Sequence, residues 1–264
     1  MTKEKLRALF EHNKGQVLSG EKIADELGIS RAAVWKGVNA LREEGYDIDS
    51  IKKKGYYLNE YSDILSVIKL QQYLEVPLAK ENIRVYKQID STNKQAMIEG
   101  LQGEKEWLVI LAEEQTKGIA KHNQSFASPK GKGIYLSVLL KPNQPQVSLK
   151  NLPTQIGKAI ISALEEMTTA KFTFNGRGEV LYEDKKICGV IIQELVERQT
   201  QVSEQIVIGI GMNVYGEVDY FGVLEEDNCS LYTITQMYHN RSELVARILN
   251  HLYKNYHEGS INSF

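Results

Sequence analysis

One stretch near the N-terminus carries side chains whose chemistry and spacing suit contact with DNA. Arg31 and Asn39 offer the hydrogen-bonding groups that read base edges, whereas Ser30 and Lys36 suit phosphate oxygens. The chain has a net charge of −2, so any affinity for DNA has to come from such a local patch. The residues of this stretch that we expect to face DNA are Ser30, Arg31, Ala32, Trp35, Lys36 and Asn39.

A second basic segment follows after a short interval. Apolar residues flank it, at Ile48 and Ile51 on one side and at Tyr56 and Leu58 on the other, which predicts a β-hairpin with a basic turn. We expect this turn to lie along the DNA backbone, where each neutralised phosphate adds about one unit to the salt dependence of binding. The residues of the turn that we assign to DNA are Lys52, Lys53 and Lys54.

Caps and glycines predict the helices that must position these side chains. Ser19 is a good N-cap for one helix, which Gly28 ends. Ser30 then caps a second helix, predicted over Arg31–Glu44 and ended by Gly45. Two helices joined by a three-residue turn form a helix-turn-helix, which places the start of the second helix in the major groove.

A helical module of this size can also bind only to protein, and lysine runs are usually just solvated. The capped helix and the basic hairpin together favour binding to DNA over binding to protein alone. We therefore predict a winged helix-turn-helix DNA-binding domain over residues 1–60.

The rest of the chain has a different pattern. Residues 61–80 are predicted to form a linker helix, and residues 81–264 a domain in which strands and helices are mixed. The expected fold class is α+β, with a mixed sheet. The strands are predicted at 83–89, 107–113, 133–140, 180–181, 187–193 and 205–210, and the helices at 152–167 and 242–256.

The bulk composition limits the class of protein. No apolar run approaches the roughly 18 residues that span a membrane, and the N-terminus lacks the apolar core of a signal peptide, so we expect a cytoplasmic protein. The two cysteines, Cys188 and Cys229, have no metal-type spacing, and the five histidines are scattered. We therefore expect no metal site, and a buried packing role for Cys188.

The order and spacing of several short motifs make the chain resemble the family of bifunctional biotin operon repressors and biotin–protein ligases. The resemblance covers nearly the whole chain and implies a class II synthetase-like mixed-sheet domain behind the winged helix-turn-helix. The segments that carry it are 30–33, 54–58, 90–93, 112–118, 128–129, 134–137, 186–190 and 208–214.

The resemblance also implies a ligand site. Lys186 resembles the lysine that faces the biotin carboxylate and would be the catalytic residue of an active ligase, while Asn213 would belong to the nucleotide site. Trp107 and the apolar strands would supply walls. The residues implied for biotin binding are Ser91, Thr92, Asn93, Gln115, Gly118, Lys121, Lys186 and Gly189.

Two segments differ from the family at positions that the resemblance implies for binding ATP and Mg²⁺. The family's arginine- and glycine-rich loop is replaced by Gly118–Phe126, in which Ile119 cannot supply an arginine's charge and Ala120 lacks a glycine's freedom. A Lys-Trp-Pro-Asn-Asp segment is replaced by residues 175–179. The family's small C-terminal β-barrel has no counterpart before Phe264. We therefore expect weak ATP and Mg²⁺ binding.

Three functions remain open at this point. The favoured one is a biotin-responsive repressor that binds operator DNA as a homodimer, with biotin as effector and with ligase activity lost. The second is an active bifunctional biotin–[acetyl-CoA-carboxylase] ligase and repressor. The third is a regulator with a different small-molecule effector.

Overall fold

A computed structural model describes most of the chain, which divides into two compact units, Met1–Ile64 and Leu65–Phe264. The described residues are 2–43, 46–59, 62–121, 124–142, 144–145, 151–196, 199, 202–216 and 227–257.

The N-terminal unit consists of three helices and a small antiparallel sheet. Its strands are ordered β1-β3-β2, so β3 is paired on both sides. Its elements are α1 (Thr2–His12), β1 (Val17–Leu18), α2 (Gly20–Leu27), α3 (Arg31–Glu43), β2 (Ile48–Ile51) and β3 (Gly55–Leu58).

The caps that the sequence predicts are present. The Ser19 hydroxyl accepts from the backbone N–H of Lys22, and the Ser30 hydroxyl accepts from that of Ala33, at 3.0 and 3.2 Å. Gly28 ends α2 in the left-handed conformation, at φ +64°. The predicted helix-turn-helix and hairpin are therefore confirmed, while the predicted end of α3 at Glu44 and Gly45 lies outside the described residues.

Strand β1 was not predicted, because two residues are too few to show an alternating pattern. It pairs with β3 where Gly55 lies against the backbone of Leu18, and a Cβ at Gly55 would overlap the Leu18 carbonyl. Gly55 also has φ +131°, which only glycine adopts readily. Gly55 thus allows the hairpin strand β3 to pair closely with β1.

The C-terminal unit is built around one eight-stranded sheet. Strands β4 and β5 are parallel, because α5 connects them, and the other pairs are antiparallel. The main strand order is β4-β5-β6-β11-β10-β9-β8, and β7 pairs with β11. The elements are α4 (Val67–Tyr73), β4 (Ile83–Tyr86), α5 (Thr92–Leu101), β5 (Leu108–Ala112), β6 (Gly133–Leu140), β7 (Gln144–Pro145), α6 (Leu152–Met167), β8 (Thr173–Phe174), β9 (Glu179–Tyr182), β10 (Lys185–Val196), β11 (Val202–Asn213), α7 (Leu231–Thr235) and α8 (Arg241–His257).

The two faces of this sheet are covered unequally. The larger core joins one face to α4, α6 and α8, and each Leu or Ile fully buried there contributes about 1.5–3 kcal/mol. On the other face only a small cluster packs with α5, formed by Ala96, Leu108, Ile110, Leu139 and Val207. This second face therefore has room for a cavity beside α5.

The expected linker helix over 61–80 is wrong in extent. Helix α4 is seven residues long, begins after its N-cap Ser66 and ends where Leu74 becomes extended. Leu70 is fully buried in the core of the larger unit, and Leu65 and Leu78 are buried in the same core without being helical. The apolar residues of this segment are spaced as in a helix, although Leu65 and Leu78 reach the core from parts of the chain that are not helical.

A buried ion pair joins the start of the larger unit to its sheet. Arg241 is fully buried and donates from Nη2 to Glu113 at 2.9 Å and from Nη1 to the carbonyl of Gly133 at 3.0 Å. The other Glu113 oxygen accepts from the backbone N–H of Leu65 at 2.6 Å. Since removing one partner of a buried pair typically costs about 3–5 kcal/mol, this arrangement holds the segment before α4 firmly.

Among the helices that the structure describes, none is long and apolar enough to cross a lipid bilayer.

Candidate functional site

The helix-turn-helix presents one exposed face of α3. Val34, Val38 and Leu41 are buried in the core of the unit, whereas Trp35 is 58% exposed. Positions 32, 35, 36 and 39 share the face opposite this core, since they follow the helical repeat. Of the six residues assigned to DNA on this helix, five are exposed and Asn39 is half-buried.

Arg31 has a partner in the N-terminal unit. Its guanidinium lies 2.7 Å from a carboxylate oxygen of Glu21, and both side chains are more than two-thirds exposed. An ion pair in such contact with water contributes little, so Arg31 can exchange Glu21 for another acceptor at small cost.

Arg42 is a positioning residue that sequence reasoning missed. Its Nε donates to the carbonyl of Ile48 at 2.7 Å, and its Nη2 donates to the Ser50 hydroxyl at 2.9 Å. Its Nη1 donates to the side-chain oxygen of Asn39 at 3.3 Å. Arg42 therefore links α3 to the hairpin, whose exposed turn carries Lys52, Lys53 and Lys54.

The larger unit contains a cavity of about 500 Å³ on the sheet face beside α5. Glycines at Gly189, Gly209 and Gly211 leave space on the floor of this cavity. A Cβ at Gly209 would overlap the side chain of Asn93, and a Cβ at Gly211 would lie 2.6 Å from the ring of Phe126. The glycines of β11 therefore allow Asn93 and Phe126 to pack directly against the strand at the floor of the cavity.

Three lining residues share a hydrogen-bond network with two buried serines, and we name this network the Gln115 cluster. The side-chain oxygen of Gln115 accepts from the backbone N–H of Thr92 at 2.8 Å and from its hydroxyl at 3.1 Å. The Gln115 amide group donates to the Ser128 hydroxyl at 2.9 Å. The network comprises Thr92, Asn93, Gln115, Ser128 and Ser137.

Ser137 and Asn93 extend this network to the middle of the sheet. The Ser137 hydroxyl, which is fully buried, lies 2.8 Å from the Thr92 hydroxyl and 2.5 Å from the side-chain oxygen of Asn93. Asn93 in turn donates to the side-chain oxygen of Gln193 at 3.2 Å. These bonds fix the first turn of α5, which Ser91 caps.

A second group, which we name the Lys186 cluster, carries the charges of the cavity. The Lys186 ammonium donates to Glu179 at 2.8 Å and holds the pKa of that carboxyl below its usual value of 4.5. The other Glu179 oxygen accepts from the side chain of Asn175 at 2.6 Å. The cluster comprises Lys121, Asn175, Arg177, Glu179 and Lys186.

The segment from Gly118 to Phe126 forms a side of the cavity. The backbone N–H of Phe126 donates to the Gly118 carbonyl at 2.9 Å, and that of Ala120 donates to the Gln124 carbonyl at 2.7 Å. These bonds turn the segment back on itself, with Ile119 and Phe126 among the lining residues. His122 and Asn123 lie outside the described residues.

Comparison with known proteins finds a family match within each unit. Residues 2–57 match the HTH domain family, and residues 85–213 match the biotin/lipoate A/B protein ligase family. The combination of the two domains supports the family that the sequence motifs indicate.

Curated relatives are named as bifunctional ligases and repressors. The chain is 29% identical to the bifunctional ligase/repressor BirA of Bacillus subtilis over 206 residues, and 29% identical to BirA of Escherichia coli over 210 residues. These matches cover 78% and 80% of this chain, and 63% of each relative. The chain therefore spans less than two thirds of the length of either protein.

Solved structures of ligases have a similar fold. The biotin protein ligase of Aquifex aeolicus in complex with biotin and ATP matches with a TM-score of 0.55 and 26% identity, over 70% of this chain and 75% of that one. The biotin protein ligase of Leishmania major, at 22% identity and a TM-score of 0.55, supports the fold alone over 67% of this chain and 75% of that one. Since the Aquifex protein holds ATP, these relatives lend no support to the expected loss of nucleotide binding.

Most residues that the family resemblance implied for biotin meet at the cavity of the larger unit. Gly118 does not line it, but lies behind the loop against the Phe126 carbonyl and the Ser128 hydroxyl. The implied residues that do line it are Ser91, Thr92, Asn93, Gln115, Lys121, Lys186 and Gly189.

Two other residues lie away from the cavity of the larger unit. Trp107 is not a wall residue, because its ring packs on Tyr253 and Tyr256 in the larger core. Asn213 is buried and donates to the carbonyl of Cys229 at 3.2 Å, so its side chain holds two chain segments together and does not line the cavity.

We did not identify Ser137 from the sequence as a member of the Gln115 cluster, nor Arg177 as a residue that lines the cavity. Ser137 was detectable, because it is a polar residue in the otherwise apolar strand β6. It alternates with Leu136 and Val138, which face the larger core. Arg177 lies in a segment of turns with no periodicity, so no sequence pattern places it at the cavity.

Cys188 is buried as the sequence predicts, and burial raises the pKa of its thiol to about 12. Within the part of the chain that the structure describes, no group of three or more His, Cys, Asp or Glu side chains is arranged to hold a metal ion.

Proposed function

We propose that the chain is a biotin-responsive DNA-binding transcriptional regulator, acting as a repressor, in which ligase activity is lost. The observation that carries this proposal is the Gln115 cluster, which places buried hydroxyl groups and half-buried amide groups beside a glycine-floored cavity in a chain that also has an HTH domain.

The cavity fits biotin in size and in chemistry. Its volume of about 500 Å³ lies within the usual range of small-molecule sites. The Gln115 cluster offers donors and acceptors to a ureido ring, while Ile119, Phe126 and Ile191 offer apolar surface to an alkyl chain. Apolar walls with few polar groups are what an amphipathic ligand of this kind requires.

DNA binding is assigned to α3 and the hairpin turn, with Arg31 on a base edge and the three lysines on phosphates. A two-fold operator requires two copies of this unit, so the chain binds DNA as a homodimer. If biotin favours the dimer it also raises the affinity for DNA, and by linkage DNA raises the affinity for biotin.

Loss of ligase activity is supported by the residues around the charged part of the cavity. Activation of biotin by ATP requires cations around a triphosphate and a free carboxylate for Mg²⁺. Ile119 and Ala120 line the cavity without charge, and both oxygens of Glu179 are bonded to neighbours.

The second candidate function is an active biotin–protein ligase that is also a repressor. The observation that favours it is the presence of three cationic side chains in the lining, Lys121, Arg177 and Lys186. Such a cluster suits a phosphate-bearing substrate.

Incubation with ATP, Mg²⁺, biotin and a carrier-protein acceptor separates the two candidates. We expect no transfer of biotin to the acceptor, and clear transfer at ordinary enzyme concentration would establish the ligase instead. Calorimetry with biotin and a DNA mobility shift with and without biotin test the regulator. If the folded protein gives no heat at high micromolar biotin, the effector is a different small molecule.

A further inference from the structure

The ion pair of Glu179 and Lys186 affects which chemical group the cavity accepts at the end of a ligand's tail. We infer that Glu179 is a specificity-determining residue, which makes the cavity prefer a biotin derivative with a neutral amide tail over free biotin with its carboxylate. This inference rests on the proposed function, since it concerns the same cavity and the same ligand class.

Lys186 is already neutralised within the chain. Its ammonium lies 2.8 Å from a Glu179 oxygen, and both side chains line the cavity. They are 32% and 33% exposed, so water screens the pair only in part. An incoming carboxylate has to compete with Glu179 for the same ammonium, and it brings a second negative charge close to the first.

The Glu179 carboxylate is held in place from the other side. The Asn175 side chain donates to its second oxygen at 2.6 Å. The Asn175 side-chain oxygen accepts from the backbone N–H groups of Arg177 and Glu179, at 2.9 and 3.2 Å, which fixes Asn175 itself. Displacing Glu179 from Lys186 therefore breaks a preorganised set of bonds.

The remaining cations of the cavity do not replace Lys186. Lys121 and Arg177 are both exposed, so water and salt weaken any ion pair that they form with a ligand carboxylate. Lys121 also interacts with Glu179, and its charge contributes to the lowered pKa of that carboxyl.

A ligand with an amide tail has the donor and the acceptor that complement the pair of Glu179 and Lys186. Lys186 is a donor and Glu179 is an acceptor, 2.8 Å apart. A primary amide carries an acceptor oxygen and a donor nitrogen on one carbon, so it can bond to both without adding charge. A carboxylate has acceptors only, and one of its oxygens would face Glu179.

The test is calorimetric titration of the full chain with biotin and, separately, with biotinamide. For the unmodified protein we expect biotinamide to bind about tenfold more tightly than biotin, the factor that corresponds to one charge-assisted hydrogen bond. This comparison requires no substitution and so does not depend on the folding of a variant.

Glu179→Gln tests the assignment to this residue. The substitution keeps the size of the side chain and removes its charge, so we expect biotin to bind about tenfold more tightly while the affinity for biotinamide changes less than about twofold. Glu183→Gln is the matched control, because Glu183 is exposed in the turn between β9 and β10 and does not line the cavity. It should leave the ratio of the two affinities unchanged.

The outcomes separate this inference from the proposed function. Tighter binding of biotin than of biotinamide, with the same ratio in Glu179→Gln, overturns the inference and leaves the biotin-responsive regulator standing. Binding of neither compound to the folded protein overturns both.

Discussion

The Gln115 cluster and the Lys186 cluster line one cavity but are built in different ways. In the Gln115 cluster, Thr92, Ser128 and Ser137 are at most 5% exposed, and their bonds join a helix end to a strand and a loop. In the Lys186 cluster, Lys186 and Glu179 are about one-third exposed and neutralise each other. The first cluster is held by uncharged hydrogen bonds that are largely buried, whereas the second depends on a charge pair that water partly reaches.

This difference predicts where substitutions act. Removing a group from the buried network leaves donors without acceptors in a place that water does not reach, which costs about 1–3 kcal/mol for each such group. Removing a charge from the partly exposed pair is compensated by solvent and by the neighbouring charges. The four predictions below go from the largest expected effect to the smallest.

Gln115→Leu should weaken biotin binding about 100-fold, because it leaves the Thr92 N–H and the Ser128 hydroxyl without their partner and removes a polar group from the ligand. Calorimetry measures the change. Gln88→Leu makes the same chemical change at an exposed position outside the cavity and should bind biotin normally. Equal affinities of the two variants would contradict the central role of Gln115.

Gly209→Ala should weaken biotin binding about tenfold and lower the free energy of unfolding by about 1–3 kcal/mol, because its Cβ overlaps the side chain of Asn93. Denaturant unfolding and calorimetry measure the two effects. Gly20→Ala is the matched control, since its Cβ lies no closer than 3.6 Å to Tyr56, an ordinary contact. A Gly209→Ala protein with unchanged affinity would show that the glycine floor is dispensable.

Lys186→Met should weaken biotin binding about tenfold, because it removes the ammonium that neutralises Glu179 beside the ligand carboxylate. Adding Glu179→Gln to the same chain should restore binding to within about threefold of the original, since the net charge of the pair is then unchanged. A double variant as weak as the single one would mean that Lys186 contacts the ligand independently of Glu179.

The stability that the Glu179 carboxylate contributes should depend on pH. Because Lys186 lowers the pKa of Glu179 in the folded chain below its usual 4.5, this contribution is present above pH 4.5 and is lost as the pH falls through the folded-state pKa. The difference in unfolding free energy between the original chain and Glu179→Gln should therefore shrink on acidification. A difference that stays constant from neutral to acid pH would exclude this linkage.

The sequence predicts the N-terminal unit well because its signals are local. Ser19, Gly28 and Ser30 are caps that act within a few residues, and the basic turn lies between apolar strands. The α+β class and helix α6 are likewise predicted, since Leu152–Met167 has a continuous helical repeat. Strand β11 is longer than predicted, because Gly211 interrupts its apolar pattern although the strand continues to Asn213.

The candidate cavity is predicted less completely, because its contacts join distant residues. Gln115 and Lys186 follow from the family motifs, but nothing local indicates that Glu179 is bonded to Lys186 or that Arg42 holds the hairpin. Trp107 was expected at the wall of the ligand site that the family resemblance implies. Its actual place is decided by α8, whose aromatic rings meet it in the core.

The glycines of strand β11 also have a genetic consequence. Every amino acid other than glycine has a Cβ, so every missense change in codon 209 or codon 211 places an atom against Asn93 or Phe126. Both of these side chains line the cavity, so each such change displaces part of its lining. No substitution is conservative at these two positions, and we expect only synonymous changes in their codons wherever the shape of the cavity is retained.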